Sequence, residues 1–372
     1  MKQKFFIFFL AIFLAFSAPQ VFASEVTESH GNIRSLGMGG IWMSYVNDQD
    51  ALFVNPAALS QVKGLNWQVL NVEVGTNGYE TYQQLNGIDL STPSSYNQLF
   101  GKPIWIRAEA KTALALPNFA LGAYTETNTN MVLHNPGFPQ FQTHFISDNG
   151  MALGGAFALA PFTSMGIAVK QISRWGGDQD IDLGVIAGGH LDQVGDQFKN
   201  KGRGYGVDVA LKSELPILLN PSVSLVWQDV GSTAFQKTDG LEAPPRIHDN
   251  LSLGASTSLV LPGLDLVAGL EYRHITENDY QLGQKIHLGA EVSLPLIDLR
   301  GGISQGYAAY GVGINFFFLK FDIAKYTEEM GAYPGQTPQE RYQVGLSIDL
   351  GFDADFKLTG SDGKRRKLKQ RR

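Results

Sequence analysis

The segment "RYQVGLSIDLGF" constrains the fold more than any other stretch of the chain. Tyr342, Val344, Leu346, Ile348, Leu350 and Phe352 occupy one phase of it, and Gln343, Gly345, Ser347, Asp349 and Gly351 the other. A period of two puts alternate side chains on opposite faces of a strand, so one face is oily and the other accepts water. "KIHLGAEVSL" repeats the pattern, with Ile286, Leu288, Ala290, Val292 and Leu294 opposed to Lys285, His287, Gly289, Glu291 and Ser293. In "IWIRAEAKTAL", Ile104, Ile106, Ala108 and Ala110 oppose Arg107, Glu109 and Lys111. The periodicity predicts fourteen strands, near 65–75, 104–116, 119–127, 151–160, 163–174, 204–213, 222–230, 250–260, 265–275, 284–294, 297–304, 309–318, 320–326 and 341–352. Many have the ~9–11 residues that a tilted membrane-crossing strand needs.

The connections alternate in length. Those after even strands are short and mostly marked by proline, at 117–118, 161–162, 215–221, 261–264, 295–296 and around Leu319. Those after odd strands are mostly long and polar, at 76–103, 128–150, 175–203, 231–249, 276–283 and 327–340. This layout predicts an all-β chain: a transmembrane, antiparallel outer-membrane β-barrel of about 14 strands, both ends on the short-turn, periplasmic side. Closure is required because an open edge would leave backbone groups unpaired in hydrocarbon. A secreted soluble sandwich or propeller predicts neither the loop alternation nor the repeated apolar faces. Two places break the rhythm. The apolar phase of "LNWQVLNVEV" flips after Val69, which predicts a bulge, and the aromatic run in "NFFFLKF" has no clear phase and suits an interfacial girdle.

The ends are different. Residues 1–23 read as a secretory signal, with Lys2 and Lys4 before the apolar run Phe5 to Phe16 and small residues around a cleavage point after Ala23. The chain has no cysteine, which excludes a disulfide framework and a lipoprotein anchor. Apolar residues make up 44% and charged ones only 17%, an unusual balance for a soluble secreted enzyme but one that alternating strands produce. The net charge is −6, yet seven of the nine residues Lys364 to Arg372 are basic. A solvated arm at 353–372, open to an acidic partner, is the plain reading of that tail, and nucleic-acid binding is set aside.

Between signal and barrel lies "NIRSLGMGGIWMSYVNDQDALFVNPAAL", Asn32 to Leu59. Gly37, Gly39 and Gly40 lack the spacing of a dinucleotide loop, and no lysine follows as in a P-loop. Leu36-Gly37-Met38-Gly39-Gly40 and Asn55-Pro56-Ala57, joined through Asn47, Asp48 and Asp50, resemble the N-terminal signature of the FadL-like superfamily of outer-membrane proteins. That group includes long-chain fatty-acid and hydrocarbon transporters and PorV-like and TraF-like relatives. The stretches "PSVSLVWQDVGSTAF" and "FDIAKYTEEMGAYPGQTPQERYQVGLSIDLGF" are similar to the latter branch. The resemblance implies that residues 24–63 fold inside a barrel of residues 64–352 as a hatch, with Gly37, Gly39, Gly40, Asn55, Pro56 and Ala57 among its contacts. Asn55 before Pro56 also suits a capped helix start.

With the oily face toward lipid, the other phase turns Arg107, Glu109, Lys111, Asp208, Lys212, Glu271, Arg273, Lys285, His287, Glu291, Asp298, Arg300 and Asp322 into the lumen. Mixed signs there read as ion pairs that fasten the hatch. His287 with Glu291 is the one pair that suggests catalysis; no nucleophile context accompanies it, so no enzyme activity is expected. The scattered histidines give no metal spacing, and no cofactor is expected. The leading expectation is handling of a hydrophobic small molecule in contact with outer-membrane lipid. The alternatives are a PorV-like barrel that binds protein through its loops or basic tail, and a diffusion porin.

Overall fold

The structure, a computed structural model, describes residues 31–77, 97–182, 198–353 and 369–370. The expected signal peptide, most of the first long loop and most of the basic tail lie outside them.

Fourteen strands form a closed antiparallel barrel: β1 (Leu65–Thr76), β2 (Pro103–Leu116), β3 (Phe119–His134), β4 (Gln140–Ala160), β5 (Thr163–Asp182), β6 (Lys201–Glu214), β7 (Ser222–Gln228), then β9 (Asn250–Leu261), β10 (Leu264–Tyr272), β11 (Ile286–Ser293), β12 (Ile297–Ser304), β13 (Tyr307–Phe316), β14 (Leu319–Glu329) and β15 (Pro338–Asp353). Pairing of β1 with β15, from Leu65↔Phe352 to Thr76↔Tyr342, closes the wall. A short β8 (Phe235–Asp239) pairs only with the start of β6, and β16 (Lys369–Gln370) pairs with the end of β15.

Burial is inverted relative to a water-soluble protein. On β15 Arg341, Gln343 and Ser347 are buried, whereas Val344 and Leu346 are exposed at 43% and 50%. The same holds for Ile106, Leu153, Val169, Leu288, Leu299 and Val312, all outward and exposed. Such an apolar outer surface is stable only against hydrocarbon. No helix among the described residues is long and apolar enough to cross a membrane.

The expected bulge is present: β1 shifts register against β15 between Gln68 and Leu70, and against β2 between Gln68 and Asn71. The expected loops at 128–150 and 175–203 need correction. β3 and β4 continue as one hairpin to His134↔Gln140, and β5 continues to Asp182. Above the bilayer no lipid enforces alternation, so polar residues such as Thr127, Asn128 and Thr129 pair as strand without an oily phase. An apolar cluster of Leu99, Ile104, Leu133, Phe141, Ile181 and Phe198 holds these extensions together, with the Phe145 and Trp175 rings edge to face at 5.1 Å. Lys285 also moves: it ends a short helix (Leu282–Lys285) rather than sitting in a strand, because Gln281 and Gln284 close a capping box before β11 begins.

Candidate functional site in the barrel lumen

The N-terminal segment folds through local capping. The Asn32 side chain accepts from the Ser35 amide at 2.8 Å and opens helix α1 (Ile33–Gly37), while its amide donates to Asp50 at 2.9 Å. Gly39 and Gly40, with φ of 66° and 88°, reverse the chain. After α2 (Ala51–Val54), Asn55 accepts from the Ala57 amide at 3.2 Å and starts a 3₁₀ turn with Pro56 first. The same Asn55 donates to the Met43 carbonyl at 2.7 Å and to Ser224 of β7 at 3.1 Å, so one side chain caps a helix and joins segment to wall.

Inward-facing residues around the wall meet this segment. A Cβ on Gly289 of β11 would land on the Met38 carbonyl, and one on Gly166 of β5 on the backbone of Pro56 and Ala57. Ile41 and Ser44 approach β10 and β9, and Ile33 approaches β15. Ile41, Leu52, Ala57 and Leu59 have no measurable exposure.

Two chemistries hold the contact. Toward β2–β7, Trp42, Met43, Leu52, Phe53, Leu59 and Val62 pack on Ala113, Ala115, Ala120, Ala152, Ala168 and Ala210. Toward β10–β14, Arg34 forms a fork with Glu291 at 2.5 and 2.9 Å, and Arg300 binds Glu291 at 2.6 Å, Asp322 at 2.5 Å and Asp298 at 3.1 Å. Glu271 accepts from the Trp42 amide at 2.7 Å and pairs with Arg273, which also donates to the Gly40 carbonyl. Both carboxylates are buried, so each needs these donors to offset its lost hydration.

Of the residues expected on the inner face, all but the half-buried Asp322 are buried, Lys285 on its short helix rather than on a strand, and they form separate groups. Arg107 bridges Glu109 and Glu126 and reaches the Gly31 carbonyl. Lys111 pairs with Asp50 at 3.0 Å, and Lys212 donates to the Val46 carbonyl. Lys285 donates to the Glu277 carbonyl. Glu291 serves Arg34 and Arg300 and not His287, whose Nδ1 lies 3.1 Å from the Gly39 carbonyl and 3.2 Å from the Ser304 hydroxyl. Ser304 was not expected; it is the ladder partner of His287 on β12. Asp208 binds Lys170 at 3.0 Å, and Lys170 binds Asp229 at 2.8 Å. Lys170 shares the inward phase of Gly166 and Ala168, so the alternation alone would have found it; Asp229, just past β7, carries no such signal.

At the long-loop rim, Glu329 gathers the loop 330–337. It accepts from the Tyr307 hydroxyl at 2.5 Å, from the amides of Gly331, Gly335 and Thr337 at 2.7 Å each, and from Gln336 at 3.2 Å. Burial alone would push its carboxyl up; these donors outweigh it and hold the group below the usual carboxylate range.

The segment packs against both sides of the wall. A cavity of about 50 Å³ between it and β1, β14 and β15 is lined by polar groups, among them Asp48, Gln68, Glu73, Lys320 and Asp349. That is room for a few waters and not for a lipid chain. No group of three or more histidine, aspartate or glutamate side chains that could hold a metal ion occurs among the described residues.

An oily outer wall, a closed fourteen-strand ladder and a polar interior define a transmembrane β-barrel of the outer-membrane type. Among solved structures the chain is similar to the monoaromatic hydrocarbon channel CymD, with a TM-score of 0.51 and 12% identity over 90% of this chain and 99% of that one. It is similar to a deltaS2S3 mutant of the monoaromatic hydrocarbon channel TodX, with a TM-score of 0.51 and 11% identity over 85% and 97%. A Pseudomonas aeruginosa FadL homologue aligns at a TM-score of 0.39 with 13% identity over 88% and 98%, too loosely to carry an argument. No family model and no curated protein matches the sequence. At these identities the likeness is one of fold, and at that level it agrees with the FadL-like resemblance of Leu36–Gly40 and Asn55–Ala57.

Proposed function

We propose that this barrel passes hydrophobic small molecules of the fatty-acid or hydrocarbon class across the outer membrane, with the N-terminal segment as a hatch that shifts to admit them. The observation that carries the reading is the apolar contact between Leu52, Phe53 and Leu59 and the alanine-lined wall of β2–β6. Large apolar groups sit on the movable side and small ones on the rigid side. Displacing the segment from that wall would open an oily slot in which an apolar guest replaces the lost contacts, and the Lys111–Asp50 pair that ties the segment to β2 would have to part in the movement. The names of the two channels with this fold support the same substrate class. Because the segment packs against both sides of the lumen, the reading requires movement and predicts little steady ionic conductance, unlike a diffusion porin.

The test is uptake of labelled fatty acids and of toluene by vesicles carrying the full chain, with analysis of lipid retained after mild detergent extraction. Saturable uptake above empty vesicles is expected. Absence of both uptake and retained ligand would sink the proposal.

A further inference from the structure

The bulge in β1 changes what faces the lumen. Strict alternation from the buried Glu73 and Asn71 would send Val69 inward and Gln68 out to lipid. The register shift instead leaves Val69 unpaired and turns Gln68, 4% exposed, inward beside its ladder partner Asp349. The next inward row runs Asn71, Ser347 and Lys320 across β1, β15 and β14. Side chains directly opposite on one face are roughly 5 Å apart, so these groups form one polar patch where the barrel closes. The N-terminal segment faces it with Asp48 and Asp50 across the cavity of about 50 Å³.

The lining is short of positive charge. Asp50 has Lys111 at 3.0 Å, Asp322 has Arg300 at 2.5 Å, and Arg34 is taken by Glu291. Among the described residues, Asp48, Glu73 and Asp349 form no ion pair and accept from neutral donors: the Asp50 amide at 3.0 Å, Asn71 and Gln343 at 2.8 and 2.7 Å, and Ser347 at 2.9 Å. Against these three carboxylates the lining offers one further ammonium, Lys320, which stands 3.8 Å from Asp322. Two oxygens show where charge is missing. Gln68 Oε1 and Asp349 Oδ1 are buried and accept from no donor among the described residues. Water would satisfy the amide oxygen and leave the carboxylates unbalanced; a cation does both.

We infer that this chamber is a divalent-cation site of the calcium type, with oxygen donors from Gln68 and Asp349 on the wall and from Asp48 on the segment, and water completing the shell. Oxygen donors suit a hard cation. Their origin in a bulge, a strand and a loop suits the flexible shell of calcium better than the strict octahedron of magnesium. The set has two carboxylates rather than three acidic side chains, so binding should be weak, ~0.1–1 mM, as in extracellular modules. The ion ties the N-terminal segment to the first and last strands of the barrel, whatever the lumen carries.

The test uses the full chain in phosphatidylcholine vesicles, whose headgroups carry no net charge, after stripping with a chelator. Terbium, a luminescent stand-in for calcium, should bind at one site per chain and be displaced by calcium chloride at ~0.1–1 mM, and not by sodium chloride of equal ionic strength. Asp349→Asn should weaken calcium about tenfold and Gln68→Ala several-fold, each shown to be folded by heat-modifiable gel mobility. Asp265→Asn, at an exposed carboxylate on β10, should leave the affinity unchanged. Absence of calcium-displaceable terbium from the unsubstituted chain overturns the inference without any variant. Equal displacement by sodium chloride, which marks diffuse screening, overturns it too, as does unchanged affinity in folded Asp349→Asn. A urea midpoint that follows pH and ignores calcium at fixed pH would show that protons alone neutralise the chamber, and would equally sink it.

Discussion

The two sides of the lumen hold the same segment by different balances of contact. On β2–β6, near the short turns, most of the contact is made by methyl groups and rings, with Lys111–Asp50 as an ion pair among them; on β10–β14 it is made by carboxylates that accept hydrogen bonds from guanidiniums and backbone amides in fixed directions. Dispersion contacts fall off smoothly as surfaces slide, and an apolar guest replaces them readily. A buried ion pair has no such intermediate, since removing one partner leaves the other charged and unhydrated. The charged side therefore behaves as an anchor and the apolar side as a seam.

The largest effect should come from breaking the anchor. Glu291→Ala removes the carboxylate that Arg34 pairs with, while Arg300 keeps Asp322 and Asp298, and should cost about 4 kcal/mol in urea unfolding from lipid. Replacing Arg34 and Glu291 together by methionine should recover much of it. If the double variant is no better than the single, the pair is not an anchor in this sense. Next in size, Leu52→Ala on the seam should cost about 3 kcal/mol and leave a dry cavity that takes up a small aromatic ligand, detected as a ligand-dependent rise in the unfolding midpoint. A similar cost without ligand uptake would mean that the seam collapses.

Gly166→Ala tests fit rather than chemistry. Its methyl would overlap the backbone of Pro56 and Ala57 and should cost about 2 kcal/mol, with faster proteolysis near residue 57. The smallest effect lies outside both sides. The depressed carboxyl of Glu329 stabilises its loop fully above the ordinary glutamate value of about 4.3, and that contribution is lost as pH falls through the lower folded value. Protection of the Gly331 and Thr337 amides against exchange, relative to their intrinsic rates at each pH, should fall in acid, and Glu329→Gln should speed their exchange by a factor of about 5 at neutral pH, equivalent to about 1 kcal/mol. Unchanged exchange in that variant would show that the loop is held by other contacts.

Much of the wall was legible. Tyr342 to Phe352 and Ile286 to Leu294 announce their faces because lipid lies against one of them, and even the flip at Val69 marks a real register shift. Legibility ends where lipid ends. Asn128 to His134 and Gly176 to Asp182 carry no oily phase, and their pairing depends on neighbours and on the cluster around Leu133 and Phe141. The lumen was legible as a set but not as pairs. Phase turned Glu291 and His287 inward, yet which groups they meet depends on Arg34, Gly39 and Ser304 from other parts of the chain.

Sequence alone determined the class of object, because a two-residue period with oil on one phase has few stable closures in a membrane and the loop lengths select one of them. It also determined the local devices, such as Asn55 capping the turn at Pro56, since a cap and its amide lie two residues apart. Tertiary structure alone decided that Arg34 meets Glu291 across 257 positions of chain, and that Leu52 and Phe53 lie on alanines, with the Lys111 ammonium 6.0 Å from the Phe53 ring. Those pairings depend on barrel circumference, strand stagger and the path of the segment, which no local pattern encodes.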